Sequence, residues 1–500
     1  MSNQRAAHLT AARRATDLRR LRDEVVDLLV IGGGVTGAGV ALDAATRGMS
    51  VALVEKKDLA AGTSRWSSKL AHGGLRYIVA GQVGVAWESA VERNHLVRTI
   101  APHLVSPMRF VIPDLPGYPN GNRSLARVGF GIADVLRVAA RTPSSLPRTR
   151  WVDAQQARTL APGLRSDARG AFVTVDGALE DDARLVVSIA RTAAAHGARI
   201  VTHCRAVDVA RDGARVRDEL TGDELDVRAR AVVVATGVWT GGLVDGIPLQ
   251  PSKGAHVLLR ADAVGNPTSA FNVLVPGTRN RFVFAVPRPD GTVQVGLTDD
   301  SVDEVEDEPQ VSAADEKFLL DTLSSGLASA VTSADVVGRF AGLRPLLGRA
   351  DGESAADLSR RHALLDRDDV LALVGGKLTT YRRMAQDAVD AVAKRLDVRH
   401  GCVTTTTPLV GAGPVRGTSG QRLTRRFGAE AAEVAACGPL DAVAPGVPVL
   451  RCEVGWAIAA EGAVTTDDVD RRLRLDLVPA WSRAARPYVD EVLAAALSDG

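Results

Sequence analysis

Three glycines stand directly behind an apolar run, in the order Asp27-Leu28-Leu29-Val30-Ile31-Gly32-Gly33-Gly34-Val35-Thr36-Gly37. In this Gly-x-Gly-x-x-Gly spacing Gly32 permits a tight turn and Gly34 lets backbone N–H groups approach a pyrophosphate. Gly37 lets a helix pack closely on a strand. A second apolar run ends at Glu55, 23 residues after Gly32, where a carboxylate accepts both hydroxyls of an adenosine ribose and repels a 2′-phosphate. The ligand this spacing suits is a dinucleotide. Two distant glycine turns bear on which one: Ala235-Thr236-Gly237 closes an apolar run, and Gly375-Gly376-Lys377-Leu378-Thr379-Thr380 opens a helix. The positive N-terminal end of that helix suits an anionic reduced isoalloxazine, whereas a reduced nicotinamide ring is neutral, so FAD is favoured over NAD.

The basic residues single out further groups. Of 61, only seven are lysine, and three of these sit beside glycines: Lys69, Lys253 and Lys377. A chain that writes arginine almost everywhere keeps lysine where a compact ammonium suits and a planar fork does not. His256 follows Ser252-Lys253-Gly254-Ala255, and a neutral imidazole there is suited either to taking a hydroxyl proton or to a plain hydrogen bond with a cofactor. The four cysteines lie far apart without C-x-x-C spacing, which argues against zinc and against a disulfide framework. No metal site is expected.

The elements that would position these groups follow from the hydrophobic pattern. A strand over 27–31, a helix over 37–47 stopped by Gly48 and a strand over 50–55 make one βαβ unit. Further on, the pattern predicts a helix over 181–196, strands over 199–204 and 231–237, and a strand-rich stretch over 256–298 with a hairpin at Pro289-Asp290-Gly291. A helix over 312–328 and a strand–glycine–helix unit over 370–395 follow, while residues 106–175 read as an excursion out of the sheet. At the N-terminus, residues 9–24 read as a basic helix whose Leu9, Leu18 and Leu21 pack or touch a surface. Residues 399–420, with Thr404-Thr405-Thr406-Thr407-Pro408, read as a linker, and short helices over 453–461 and 466–475 lead to the end.

Composition sets the outer limits. Five hundred residues, 46% hydrophobic and 24% charged, suit a globular protein of several domains. A net charge of +2 gives no general reason to bind nucleic acid. No apolar run approaches the roughly 18–20 residues that span a bilayer, and the N-terminus lacks the apolar core of a signal peptide. These features suggest a cytoplasmic protein, or one attached to a membrane surface.

Segments spread along the chain closely resemble the aerobic, quinone-linked FAD-dependent glycerol-3-phosphate dehydrogenases. They are Asp27 to Gly39, Thr63-Ser-Arg-Trp-Ser-Ser-Lys-Leu-Ala-His-Gly-Gly-Leu-Arg-Tyr77, Ala101-Pro-His-Leu104, Asp181-Asp-Ala-Arg-Leu185, Ser252 to His256, Gly342-Leu-Arg-Pro-Leu346 and Gly375 to Tyr381. The likeness runs in order from about residue 25 to 395, and 456–478 resembles the family's helical C-terminal domain. It departs in an N-terminal extension and in Arg361-His362, where an acidic or aromatic pair is expected.

The resemblance implies an α/β, glutathione-reductase-like FAD-binding fold with an antiparallel β substrate cap and a small helical C-terminal domain. Its parts would be a basic extension over 1–24, an oxidoreductase domain over 25–398 and, after the linker, helices over 421–500. Within the oxidoreductase domain the FAD-binding segments are expected at about 25–105, 165–255 and 335–398. The implied reaction is oxidation of sn-glycerol 3-phosphate to dihydroxyacetone phosphate, with C2 hydride passing to flavin N5 and electrons then to membrane quinone. His256 and Arg344 would be catalytic, and Arg76, Tyr77, Arg281, Arg344 and Arg360 would surround the substrate. FAD would meet Thr36, Thr63, Ser64, Ser67, Ser68, Lys69, His72, Gly73, Gly74 and Leu75. The glycine turns at 32–37, 235–237 and 376–380 and Glu55 complete its contacts. Partners would be the substrate, quinone and the inner face of the cell membrane, without nucleic acid, and the oligomeric state is open, a homodimer included. Rivals are a related flavin oxidase of glycerol 3-phosphate or of amino or hydroxy acids that uses oxygen, and a non-catalytic flavin-binding module.

Overall fold

The computed structural model describes residues 5–71, 73, 83–118, 131, 146–278, 281–348, 361–415 and 420–498. The run Val25–Ile31 forms the strand at the centre of a mainly parallel sheet. It pairs in parallel with Glu224–Val234 on one side and Val51–Val54 on the other. Val370–Gly375 and Arg199–Val201 extend the sheet outward in parallel, His362–Arg367 adds an antiparallel edge, and a hairpin of Cys204–Ala210 and Gly213–Asp218 folds back onto Glu224–Val234. The central strands are apolar without alternation because both faces are covered. Leu28 and Val30 face a core built with helices Val35–Thr46, Asp182–Ala195 and Tyr381–Leu396. Leu29 and Ile31 face a second core that takes in Leu21 of the N-terminal helix.

That helix, Ala11–Asp23, lies against the sheet and is fastened by two of its arginines. Arg14 bonds the Thr202 carbonyl at 2.8 Å and Asp218 at 2.7 Å, and Arg13 reaches the carbonyls of Ala194 and Ala198, each at 3.1 Å. Arg19, Arg20 and Arg22 stay exposed.

The two ends of the excursion expected over 106–175 help to build a second, larger sheet of ten strands among the described residues. Val105–Pro113 pairs with Ala171–Leu179 over nine positions, and Ala270–Leu274, Phe282–Pro287 and Thr292–Gly296 continue the sheet through the hairpin at Asp290. Its longest ladder joins Leu249–Arg260 to Val336–Leu347. Both of these strands therefore belong to this mainly antiparallel sheet, although residues up to about 255 and from about 335 were expected with the FAD-binding segments. The alternation of Val257, Leu259 and Val293, Val295 turns one face of this sheet to a core under helix Ala313–Ser325.

The described part of the segment expected as a linker packs on the body at Leu409 and Val410. Leu409 is buried and donates its N–H to the Ile100 carbonyl at 2.9 Å, while Val410 donates to the Thr192 hydroxyl at 3.0 Å. The region beyond it, with helices Gly420–Phe427, Arg451–Ala459, Thr466–Leu473 and Pro479–Ser498, docks on the body through buried ion pairs. Arg191 meets Glu430 at 2.7 Å and Arg426 meets Asp181 at 3.1 Å; Arg184 pairs with Glu461 and Arg472 with Asp58.

Candidate active site

One cavity of about 840 Å³ runs between the two sheets, and its wall carries most of the described residues singled out by the sequence. At one end is the glycine turn. Gly32 has φ of +113°, and a Cβ there would stand 2.6 Å from the Ala235 carbonyl oxygen. A Cβ at Gly37 would stand 1.9 Å from the Gly32 carbonyl oxygen, so this glycine serves helix–strand packing while Gly32, Gly34 and Thr36 face the cavity. Ser64 closes the N-terminus of helix Val35–Thr46 from outside the turn, its Oγ accepting from Val35 N–H at 2.9 Å. Glu55 accepts from Gly33 N–H at 2.6 Å and from Lys57 N–H at 2.9 Å, and burial raises its pKa against those two bonds. Ala235, Thr236 and Gly237 line the same end, with Trp239 beside them.

The far end is made by the second glycine turn and the two long antiparallel strands. Gly375 and Gly376 have φ near +78° and +75° and, with Lys377, Leu378 and Thr379, line the wall. Lys377 Nζ donates to Ser89 Oγ at 3.0 Å, and Thr380 is buried behind the turn. On Leu249–Arg260, period two places Ser252, Gly254 and His256 on one face, and the register sets Arg344, Gly342 and Phe340 beside them. The paired glycines leave room for large neighbours. A Cβ at Gly254 would come within 2.2 Å of the Arg344 guanidinium, and one at Gly342 within 2.6 Å of Trp66.

His256 and Arg344 both line the cavity, and each is held in place. Arg344 Nη1 donates to Asp299 Oδ1 at 2.8 Å and to Ser252 Oγ at 3.2 Å. The His256 ring stacks on Phe340, with centroids 4.6 Å apart and planes at 12°, and its Nε2 lies 3.1 Å from Ser68 Oγ. Burial pushes its pKa well below 6.5, the cations Lys69 and Arg344 push the same way, and the Gly254 carbonyl opposes them. The imidazole is therefore neutral at pH 7 and keeps a lone pair for a proton.

The remaining expectations divide. Thr63, Ser64, Ser67, Ser68 and Arg281 line the cavity. Lys69 does not point to it: its ammonium turns inward to Asp182 Oδ2 at 3.1 Å and the Arg65 carbonyl at 3.3 Å, and burial lowers its pKa to about 8. Gly73 is held from behind, its N–H donating to Asp176 at 2.9 Å, and Asp176 also takes Arg93 Nη1 at 2.7 Å. His72, Gly74, Leu75, Arg76, Tyr77 and Arg360 lie outside the described residues. Sequence reasoning passed over Asp299, Asn272 and Tyr118, which also line the cavity. Asp299 carried a usable signal, because a carboxylate must be found for any arginine brought into a half-buried strand. Nothing in the local pattern marks Asn272 or Tyr118.

Residues 27–382 match the family described as FAD dependent oxidoreductase. A Mycobacterium tuberculosis protein named Glycerol-3-phosphate dehydrogenase 1 is 46% identical over 498 residues, covering 95% of this chain and 96% of its own. The chain belongs to the FAD-dependent glycerol-3-phosphate dehydrogenase family. A Staphylococcus aureus member, named aerobic glycerol-3-phosphate dehydrogenase, is 34% identical over 77% of this chain and 70% of its own. Among solved structures, the glycerol-3-phosphate dehydrogenase from Bacillus halodurans complexed with FAD superimposes with a TM-score of 0.74 at 26% identity, covering 97% of this chain and 94% of that one. The α/β FAD-binding fold of the family, with its helical C-terminal region, is the fold of this chain. The residues present suit its cofactor: the Gly32 cradle cannot hold a side chain, Glu55 is hydrogen-bonded directly to the turn at Gly33, and the cavity continues to Gly376.

Proposed function

We propose that the chain oxidises sn-glycerol 3-phosphate at C2 to dihydroxyacetone phosphate. The observation that carries this reading is the shared face of the two long strands, on which a neutral His256 and a braced Arg344 look into the cavity that also holds the dinucleotide turn. FAD, when bound, supplies the hydride acceptor. The chain's own residues do the rest. His256 accepts the proton of the C2 hydroxyl, its ring set by the Nε2–Ser68 Oγ contact and by stacking on Phe340. Arg344 is pinned by Asp299 and Ser252 before any substrate arrives, so it meets the developing carbonyl oxygen without reorganisation. Because Asp299 offsets part of its charge, the phosphate dianion falls to other cations. Arg281, on the cavity wall beside Phe318, is one of them, and the resemblance adds Arg76, Tyr77 and Arg360. Phe284 and Phe318 line the same region and give it an apolar wall.

Electrons then leave to membrane quinone, with the chain held peripherally on the inner face of the cell membrane. The support is the family resemblance and the exposed Arg19, Arg20 and Arg22 on a helix that is itself bolted down. Among the described residues no helix is long and apolar enough to cross a membrane. Anaerobic bleaching of the bound flavin tests the reaction: glycerol 3-phosphate bleaches it, while glycerol, glycine and lactate leave it oxidised. Bleaching by glycine or lactate instead would make the chain an amino or hydroxy acid oxidase. Rapid-mixing reoxidation tests the acceptor, with a soluble quinone expected to outrun oxygen.

A further inference from the structure

Behind the cavity wall, one buried carboxylate gathers groups from three parts of the chain. Asp182 opens helix Asp182–Ala195 and has no exposed surface. Its Oδ2 accepts from Ser67 N–H at 3.0 Å, from Ser67 Oγ at 2.7 Å and from Lys69 Nζ at 3.1 Å. Its Oδ1 accepts from Ala183 N–H at 3.0 Å and, at 3.4 Å, from Nη1 of Arg474 in the C-terminal helical region. Ser67 and Lys69 bracket Ser68, whose Oγ meets His256 Nε2. The bracket is tight: Lys69 N–H returns to Ser67 Oγ at 3.0 Å, the Lys69 backbone is left-handed with φ of +54°, and its carbonyl is fixed by Leu179 N–H at 2.8 Å. A left-handed lysine is strained, and such a conformation persists only where its surroundings hold it.

We propose that Asp182, loaded from behind by Arg474, is a positioning residue for proton transfer: it fixes the Ser67–Lys69 bracket so that the Ser68 hydroxyl sets the ring of His256. The C-terminal helices thereby act on the reaction without touching it. The Arg474 guanidinium also lies over the Trp66 ring at 5.1 Å, so the same side chain braces both ends of the loop. Lys69 neutralises Asp182 from the loop side and Arg474 does so from the helical side, which explains why neither cation is spent on the cavity. The proposal rests on the reading of His256 as the proton acceptor.

The test uses FAD-loaded enzyme carrying Asp182→Asn, Ser67→Ala, Ser68→Ala and the pairwise combinations. One readout is the rate of anaerobic flavin reduction at saturating glycerol 3-phosphate; a second is the ¹⁵N signal of the His256 imidazole, assigned by His256→Gln. Misplacing a reacting group by a fraction of an ångström is expensive, so Asp182→Asn is expected to slow flavin reduction by about tenfold or more, with substrate affinity held. Ser67→Ala, which leaves the charge pair intact, moves the rate the same way by less. In the Ser68→Ala background both changes are expected to add less than about twofold, because the path they act through is gone. The Nε2 resonance shifts alike in Ser68→Ala and Asp182→Asn. Full additivity of the rate effects, or a His256 signal that neither Asp182→Asn nor Ser67→Ala moves, overturns the proposal. Should Asp182→Asn fail to fold, Ser67→Ala carries the same comparison. If instead His256→Ala reduces flavin at the unmutated rate, the reading of His256 falls, and the imidazole signal still reports separately whether Asp182 sets the ring.

Discussion

A histidine whose pKa is held down is a poor base by affinity and a reliable one by availability. Burial and the neighbouring Lys69 and Arg344 keep His256 neutral far below pH 6.5, so the deprotonated form is present throughout the neutral range. Flavin reduction is therefore expected to stay level as pH falls from 8 through 6.5, with its acidic limb displaced to lower pH than an ordinary histidine gives. His256→Ala is expected to slow flavin reduction by about 10²–10³-fold, leave substrate binding largely intact and erase that limb. Rapid mixing over a pH series checks this, and an unchanged limb in the variant would assign the base elsewhere. Arg344 makes the complementary prediction. Because it is fixed by Asp299 and Ser252 in advance, Arg344→Ala should cost about 2–4 kcal/mol of transition-state stabilisation, read as kcat/KM, with most of the loss in kcat. A loss confined to KM would return Arg344 to the phosphate clamp.

At the scale of elements, the two ends of the cavity come from opposite kinds of structure. The dinucleotide end is a local unit: an apolar strand, a glycine turn and a helix within a few dozen residues, whose chemistry the spacing of Gly32, Gly34, Gly37 and Glu55 already spells out. The Gly32 position can be tested directly. With φ of +113° and the Ala235 carbonyl oxygen 2.6 Å from an added Cβ, Gly32→Ala should yield protein that lacks the visible absorbance of bound FAD. Yellow protein with normal FAD content would contradict this. The substrate end is non-local, and less of it was legible. His256 and Arg344 were marked by their motifs, but nothing in either motif reveals that a register pairing Ser252 with Arg344 and His256 with Phe340 places them on one face. The same reason hides that the segments expected with the FAD-binding part, up to about 255 and from about 335, end in strands that pair with each other in the second sheet: an apolar alternation states that a strand has a buried face, not which neighbour it joins. Lys69 was read as a cofactor contact because it stands among residues that are on the wall; its left-handed backbone turns it inward to a carboxylate more than a hundred residues away in sequence.

In the whole molecule, buried ion pairs tie the C-terminal helices to the body, and the motifs Ala101-Pro-His-Leu104 and Asp181-Asp-Ala-Arg-Leu185 turn out to belong to that seam. Asp181 is held down to about 2 in spite of burial by Arg426, Arg474 and Lys69, and Arg184 pairs with Glu461. His103 fills the space between Gly411 and Gly428, whose added Cβ atoms would each stand 2.8 Å from its ring. Burial and then the charge of Arg184 push this histidine down to about 4. Its folded pKa lies below its unfolded one, so the unfolded chain takes up the proton first. The contribution of His103 to stability is complete above pH 6.5 and is lost as pH falls from there toward 4, to the extent of about 3 kcal/mol. Carboxylates such as Asp58, raised to about 6 by burial against the pull of Arg472, bend the overall curve in the other direction, so the informative quantity is a difference. His103→Gln removes the titration while keeping a polar side chain of similar reach. Denaturation midpoints of the unmutated chain and of this variant should converge between pH 6.5 and 4.5, the unmutated chain losing more stability over that interval. Parallel curves would mean that His103 takes up its proton in the folded state without opening the seam.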